Sequence, residues 1–205
     1  MNTHCGDPIF SAVVHVIDDE AIARWMFSEL LQGIDAKKRI FASAREFLAD
    51  YRPHPCECLV CDLRMPEIDG LTLQQHLLDE GSHLPVILVS GYADVPQAVA
   101  AIKKGAFDFL EKPVDGASLV AKVESALEHS RRLHAEYLAR SVREARLALL
   151  TAKERQIAGL VAAGKSSPKI AQELEISVRT VENHRARLME KLRAESVADL
   201  VRLFP

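Results

Sequence analysis

The chain has 205 residues, enough for two ordinary domains, and its 48% hydrophobic and 27% charged content excludes a disordered chain. No apolar run is long enough to cross a bilayer, no basic-then-apolar leader is read at the N-terminus, and four cysteines do not make a disulfide scaffold, so a cytoplasmic protein without a membrane partner is expected. The net charge of −3 hides an asymmetry: residues 1–129 carry 11 Lys and Arg against 20 Asp and Glu, residues 130–150 carry 5 against 2, and residues 151–205 carry 10 against 7. An acidic front joined to a mildly basic tail points to two domains with different partners, nucleic acid being a candidate for the second.

In chain order, short apolar runs alternate with helical patterns. Residues 12–17 (AVVHVI) read as a buried strand and 22–31 as a helix. A short strand over 39–42 precedes a helix over 44–51, and 58–61 (CLVC) reads as a third strand followed by a helix over 71–78. Residues 85–89 (PVILV) and 106–110 read as the fourth and fifth strands; between them lies a helix over 95–104 closed by Gly105, and a fifth helix covers 118–129. Five strand–helix units in succession predict an α/β, flavodoxin-like doubly wound parallel sheet, whose ligands sit outside the carboxyl ends of its strands. Residues 130–150 lack Gly, Pro and Asn and read as a charged connecting helix, without the clean heptads of a coiled coil.

From Thr151 every element is helical. Thr151 and Glu154 have capping-box spacing, Gly164 stops that helix, Ser167-Pro168 starts a second, and Ser177 caps a third that runs to about Leu192. A short fourth helix starts at Ser196 or Val197. At about 100° per residue along the third helix, Val181, Leu188 and Leu192 share one side with His184 at its margin. Arg179, Asn183 and Glu190 lie opposite, beside Glu182, Ala186 and Arg187, the layout of a helix that enters a major groove.

Asp18, Asp19 and Glu20 follow the first strand, Asp62 the third, Ser90 the fourth and Lys112-Pro113 the fifth, so all open onto one sheet edge. Taken singly, these read as helix caps, loop residues and a surface lysine. Together they are carboxylates that repel one another, and a hard cation such as Mg²⁺, held by oxygen ligands, relieves that repulsion. Lys112 and the Ser90 hydroxyl suit the oxygens of a phosphoryl group attacked in line by a carboxylate.

Asp18-Asp19, the segment Asp62-Leu-Arg-Met-Pro66, Ser90-Gly91 and Lys112-Pro113 resemble the set found in two-component receiver domains. The resemblance implies that Asp62 accepts phosphate from a sensor histidine kinase. It implies that Asp19, Asp62 and the Arg64 backbone carbonyl ligate Mg²⁺ directly and Asp18 through water, that Ser90 and Lys112 hold the phosphoryl group, that Phe109 is the switch aromatic, and that the Lys112–Pro113 bond is cis. The tail resembles the LuxR/FixJ-type DNA-binding domain over nearly all of its length. That implies base contacts from Glu182, Asn183 and Ala186 and phosphate contacts from Lys165, Lys169, Arg179, Thr180 and Arg187. Arg185 leans towards the core side, and His184 reads as packed.

The whole is therefore similar to a FixJ/NarL-type response regulator, with a receiver domain over 1–129, a helical linker over 130–149 and a helix–turn–helix domain over 150–205. By that resemblance, phosphorylation remodels a face carrying Val95, Val99, Ile102, Lys103, Asp108 and Glu111, the receiver pairs into a homodimer, and the tails engage promoter DNA to activate transcription with RNA polymerase as a further partner. Unphosphorylated, the receiver is expected to mask the recognition helix.

Arg64 and Tyr92 would flank the line of water attack, so slow autodephosphorylation is expected. No enzymatic activity beyond phosphoryl acceptance and loss at Asp62 is expected. An Asp62-dependent phosphatase is a rival, but Arg64 stands where such enzymes carry a second Asp. A receiver whose tail binds only protein is another rival. His54, Cys56, Cys58 and Cys61 suggest a soft-metal site, yet strand alternation across 58–61 prevents convergence on one ion. Trp25 and Met65 read as structural.

Overall fold

The computed structural model describes residues 12–91 and 95–204, for residues 95–97 the backbone alone. The chain divides into two compact units, Met1–Ala135 and Glu136–Pro205.

In the first unit, β1 (Val13–Ile17), β2 (Lys37–Phe41), β3 (Glu57–Asp62), β4 (Val86–Ser90) and β5 (Asp108–Glu111) form one parallel sheet in the order β2-β1-β3-β4-β5. Between them run α1 (Ala21–Leu30), α2 (Ala44–Asp50), α3 (Gly70–Asp79) and α4 (Val95–Lys103). The apolar runs are buried on both faces because helices cover both. Val14, Val16, Cys58, Val60, Ile87 and Val89 share one core layer with Phe27, Leu119 and Val123. Ile17, Leu59, Cys61 and Leu88 share the other with Phe47, Leu73, Leu77 and Ala101.

All five strands shift by one or two residues from their expected limits, and in β2 and β3 the reason is visible. β2 begins at Lys37, because its Lys and Arg stand on an edge strand where charge is tolerated and blunts edge-to-edge association. β3 begins at Glu57, a buried carboxylate made possible by two partners: the His15 Nε2–H donates at 3.0 Å and the Tyr51 hydroxyl at 2.8 Å.

Gly70 opens α3 against the end of β3. A Cβ there would stand 2.6 Å from the carbonyl oxygen of Asp62 and 3.2 Å from the Leu63 Cα, so only glycine permits this approach. The Gly70 N–H donates to the Leu63 carbonyl at 3.0 Å, fixing the loop that follows Asp62.

The segment after β5 is one 33-residue helix, α5 (Gly116–Ala148), which includes most of the residues expected to link the two domains. Within the second unit follow α6 (Ala152–Ala162), α7 (Ser167–Glu173), α8 (Val178–Leu192) and α9 (Val197–Leu203). Its core joins Leu147 and Leu150 to Ile157, Val161, Ile170, Val181, Leu188 and Leu200. Both atoms of the Thr151–Glu154 capping box are in place, and a second box, Ser196–Asp199, starts α9. Among the described residues no helix is long and apolar enough to cross a membrane.

Candidate functional site

The carboxyl ends of β1 and β3 are neighbours at the point where the strand order reverses, which makes a crevice. Asp18 follows β1 and is fully buried; Asp62 is the last residue of β3 and is buried as well. The Lys112 ammonium, just past β5, donates to Asp18 Oδ2 at 2.9 Å and to Asp62 Oδ1 at 2.6 Å. The second oxygen of each carboxylate takes a backbone N–H: Glu20 N to Asp18 Oδ1 at 2.9 Å, and Arg64 N to Asp62 Oδ2 at 2.7 Å.

The electrostatics follow from this sharing. Burial pushes the Asp62 carboxyl up from its usual range, against the opposing pull of Lys112 and of the Arg64 N–H, and the charge of Asp18 adds to the rise. Burial alone would lower Lys112, but its bonds to Asp62 and Asp18 outweigh it and hold the ammonium above its usual value. One cation serves two carboxylates, so the crevice keeps a surplus of negative charge and an oxygen-only donor set.

That set fits a hard divalent cation. Among the described residues no group of three or more His, Cys, Asp and Glu side chains could hold a metal by itself, so a bound ion would complete its sphere with main-chain carbonyls and water. Mg²⁺ is normally bound in that way, through one or two carboxylates.

Asp19 is exposed at the rim, where its carbonyl oxygen accepts from Arg24. Ser90 is buried at the end of β4, and its carbonyl accepts from the Lys112 N–H at 2.8 Å, which places the hydroxyl-bearing residue and the ammonium-bearing residue side by side. The Lys112–Pro113 bond is cis. Phe109 lies within β5, half-buried against the second core layer.

On the adjoining surface Val99 and Ile102 are exposed, 45% and 46%, as are Lys103 and Glu111. Asp108 is engaged by Lys122 of α5 at 2.6 Å. Tyr92 and the side chain of Val95 lie outside the described residues. The Arg64 side chain is exposed.

Trp25 is not a core residue: it is 66% exposed on α1, one turn from Ile22 at 80%. The expectation that Trp25 is structural placed it on neither face, and the phase of α1 turns it to solvent. Met65 does pack in the second layer. The cysteines make no soft-metal site among the described residues, since Cys58 and Cys61 face opposite core layers and burial pushes the thiols of Cys56, Cys58 and Cys61 up, away from the thiolate a metal needs. His54 instead bonds the backbone of Cys56.

In the second unit α7 and α8 are separated by a short turn, and the Ser177 hydroxyl caps α8 by accepting from Thr180 N at 3.0 Å. Val181, Leu188 and Leu192 are buried, which leaves Arg179, Glu182, Asn183, Ala186 and Arg187 exposed along the opposite face. Thr180 is half-buried at its edge. Lys169 is exposed, and Lys165 pairs with Glu173. Arg185 is half-buried and donates to the Ser167 hydroxyl at 2.9 Å, so it braces α8 on α7. His184 is half-buried, with Nδ1 enclosed by protein.

One ion pair in this unit escaped the sequence. Glu154, nearly buried, accepts from Lys191 of α8 at 2.7 Å as well as from the Thr151 N–H. Lys191 and the Thr151 N–H hold its carboxyl at about 2, against an ordinary 4.5. The stabilisation is therefore complete above the ordinary value and is lost as pH falls towards the folded one. In Glu154→Gln the cap persists and the charge pair does not, so the gap in melting temperature between wild type and variant should narrow from pH 7 to pH 3. A constant gap would show that the pair contributes nothing.

Comparison with known proteins agrees with this geometry. Residues 14–124 match the family model for the response regulator receiver domain, and residues 148–204 match that for bacterial regulatory proteins of the luxR family. The chain is 42% identical to the transcriptional regulatory protein FixJ of Azorhizobium caulinodans, over 94% of this chain and 92% of the relative. It is 40% identical to the transcriptional regulatory protein TdiR of Thauera aromatica, over 93% of this chain and 84% of the relative. Among solved structures, the response regulator StyR matches with a TM-score of 0.83 and 33% identity, covering 94% of this chain and 97% of that one. Full-length FixJ from B. japonicum matches with a TM-score of 0.58 and 37% identity, covering 94% and 95%. A crevice of acids around one lysine, followed by a helix–turn–helix, is thus the property of a known group: the chain belongs to the FixJ-like response regulators, with a receiver domain and a LuxR-type DNA-binding domain.

Proposed function

We propose that the protein is a cytoplasmic, phosphorylation-controlled transcription regulator. Asp62 takes a phosphoryl group from the phosphohistidine of a sensor histidine kinase, the Asp62 oxygen attacking phosphorus as the imidazole nitrogen leaves. The observation that carries this reading is the convergence of Asp18 and Asp62 on the Lys112 ammonium at 2.9 and 2.6 Å.

Mg²⁺, when bound, neutralises the phosphoryl oxygens as charge shifts. Asp18, Asp19, Asp62 and the Arg64 carbonyl are the groups that would hold it, Asp18 through water. Lys112 and the Ser90 hydroxyl bind the phosphoryl oxygens, and movement of Ser90 lets Phe109 turn inward. Arg64 restricts the attacking water, which lengthens the phosphoryl lifetime. The protein's chemistry is confined to its own Asp62; no external substrate is turned over.

The altered face bearing Val99, Ile102, Lys103, Asp108 and Glu111 pairs two copies, so two α8 helices reach half-sites about one helical turn apart. Glu182, Asn183 and Ala186 read base edges; Lys165, Lys169, Arg179, Thr180 and Arg187 hold phosphates. Promoter binding then activates transcription through RNA polymerase.

The test is DNA binding by the full chain with and without beryllium fluoride and Mg²⁺, alongside Asn183→Ala and Arg187→Ala. Activation should tighten binding and shift the chain from monomer to dimer. Asn183→Ala should cost about 1–3 kcal/mol on the preferred site and relax its specificity, whereas Arg187→Ala should weaken all sequences alike and flatten the salt dependence. Binding that ignores both salt and Asn183 would favour a tail that contacts only protein.

A further inference from the structure

Arg24 stands on α1, shortly after the acidic turn that ends β1. Its Nη1 donates to the carbonyl oxygens of two successive residues, Asp18 at 2.8 Å and Asp19 at 2.9 Å. Its backbone N–H donates to the Glu20 carbonyl at 3.1 Å, so helix and side chain grip the same turn. The Asp18 carboxylate holds that turn from the other side, through the Glu20 N–H and Lys112. The Asp19 side chain is left exposed at the rim, and the path of its backbone sets where it points.

We propose that Arg24 is a positioning residue for divalent-cation binding: by bridging the Asp18 and Asp19 carbonyls it holds the turn in the conformation from which both acids face the ion bound at Asp62. The inference rests on the magnesium reading above. Arg24 makes no contact with the ion in this account and acts through the turn alone. A guanidinium suits the task, because it is always charged and its Nη1 carries two N–H donors, one for each carbonyl, in a fixed plane.

Two effects of Arg24 oppose each other, and their signs differ. Its positive charge lies close to the acids and repels a second cation, so removing a mere neighbouring charge would tighten Mg²⁺ binding. Its hydrogen bonds order the ligands, and loss of such support typically weakens metal binding by 10- to 100-fold. If positioning dominates, a neutral substitution weakens binding although it removes a repulsive charge.

The experiment is calorimetric titration of MgCl₂ into the full chain, with no phosphodonor, for wild type, Arg24→Gln and Arg24→Lys, each checked for native circular dichroism. Arg24→Gln should bind Mg²⁺ about tenfold more weakly. Arg24→Lys, which keeps the charge and is the safer variant for folding, should bind a few-fold more weakly because an ammonium on a flexible stem orders the two carbonyls less than a planar guanidinium does. Unchanged or tighter binding in either folded variant, with wild type binding normally, overturns the role of Arg24 and leaves the magnesium reading standing. A wild-type chain that takes up no Mg²⁺ overturns both.

Discussion

Replacing Lys112 with Met is expected to destabilise the first unit by roughly 2–4 kcal/mol at neutral pH. The ammonium is the shared counterion of two buried carboxylates, and its methionine substitute leaves Asp18 and Asp62 facing each other with only backbone N–H partners. Breaking a buried pair from one side costs more than the pair contributes, because the remaining charges stay desolvated.

The loss should depend on conditions in a specific direction. Burial already raises the Asp62 carboxyl, and without the opposing pull of Lys112 it rises further above its unfolded value. The deficit is then full at high pH and shrinks as protons are added through the raised folded values. Millimolar Mg²⁺ should restore much of the stability at neutral pH, since it supplies the missing positive charge. Chemical denaturation at pH 8 and pH 5, with and without Mg²⁺, checks this. A Lys112→Met chain as stable as wild type at pH 8 without Mg²⁺ would mean that the two carboxylates do not share that cation.

The second large effect lies at the opposite end of the strands. His15→Leu is expected to cost about 3 kcal/mol, because Glu57 loses its 3.0 Å partner inside a closed box of Phe41, Phe47 and Tyr51 rings. The Tyr51 hydroxyl at 2.8 Å remains, and burial together with the Glu57 charge already pushes that hydroxyl far above its usual range. The double variant His15→Leu/Glu57→Leu should recover part of the loss, since an apolar pair needs no partner while the Tyr51 hydroxyl loses its Glu57 acceptor. A double-mutant cycle by urea denaturation measures the coupling. Additive losses would show that His15 and Glu57 do not stabilise each other.

Much of this fold was legible because its strands are buried on both faces and so read as unbroken apolar runs: AVVHVI, CLVC and PVILV lie within a residue of the observed strands. β2 was legible only in part, since an edge strand can carry Lys37, Lys38 and Arg39 and then lacks that signature. The acidic residues could be assigned to one rim because parallel topology puts every strand's carboxyl end there. Which carboxylate touches which ammonium could not be assigned, because that depends on strand twist and rotamers.

The interactions that escaped share a cause. His15 and Glu57 are 42 positions apart, Glu154 and Lys191 37 apart, and both are brought together by register or helix packing rather than by local spacing. Arg24 was unremarkable as a helical arginine until its two carbonyl acceptors were in view. Trp25, read only as structural, is turned towards solvent by the phase of its helix. On α8 the helical period sufficed, because Val181, Leu188 and Leu192 alone fix which face is free.

Mapping the phosphoryl group tests the account at its root. The full chain is incubated with acetyl phosphate and Mg²⁺, borohydride reduces the acyl phosphate to homoserine with release of phosphate, and the homoserine is located by peptide mass spectrometry. A single homoserine, at position 62, is expected, absent in Asp62→Asn and absent when Mg²⁺ is chelated. Label on another residue, or label that persists undiminished in Asp62→Asn, would contradict it.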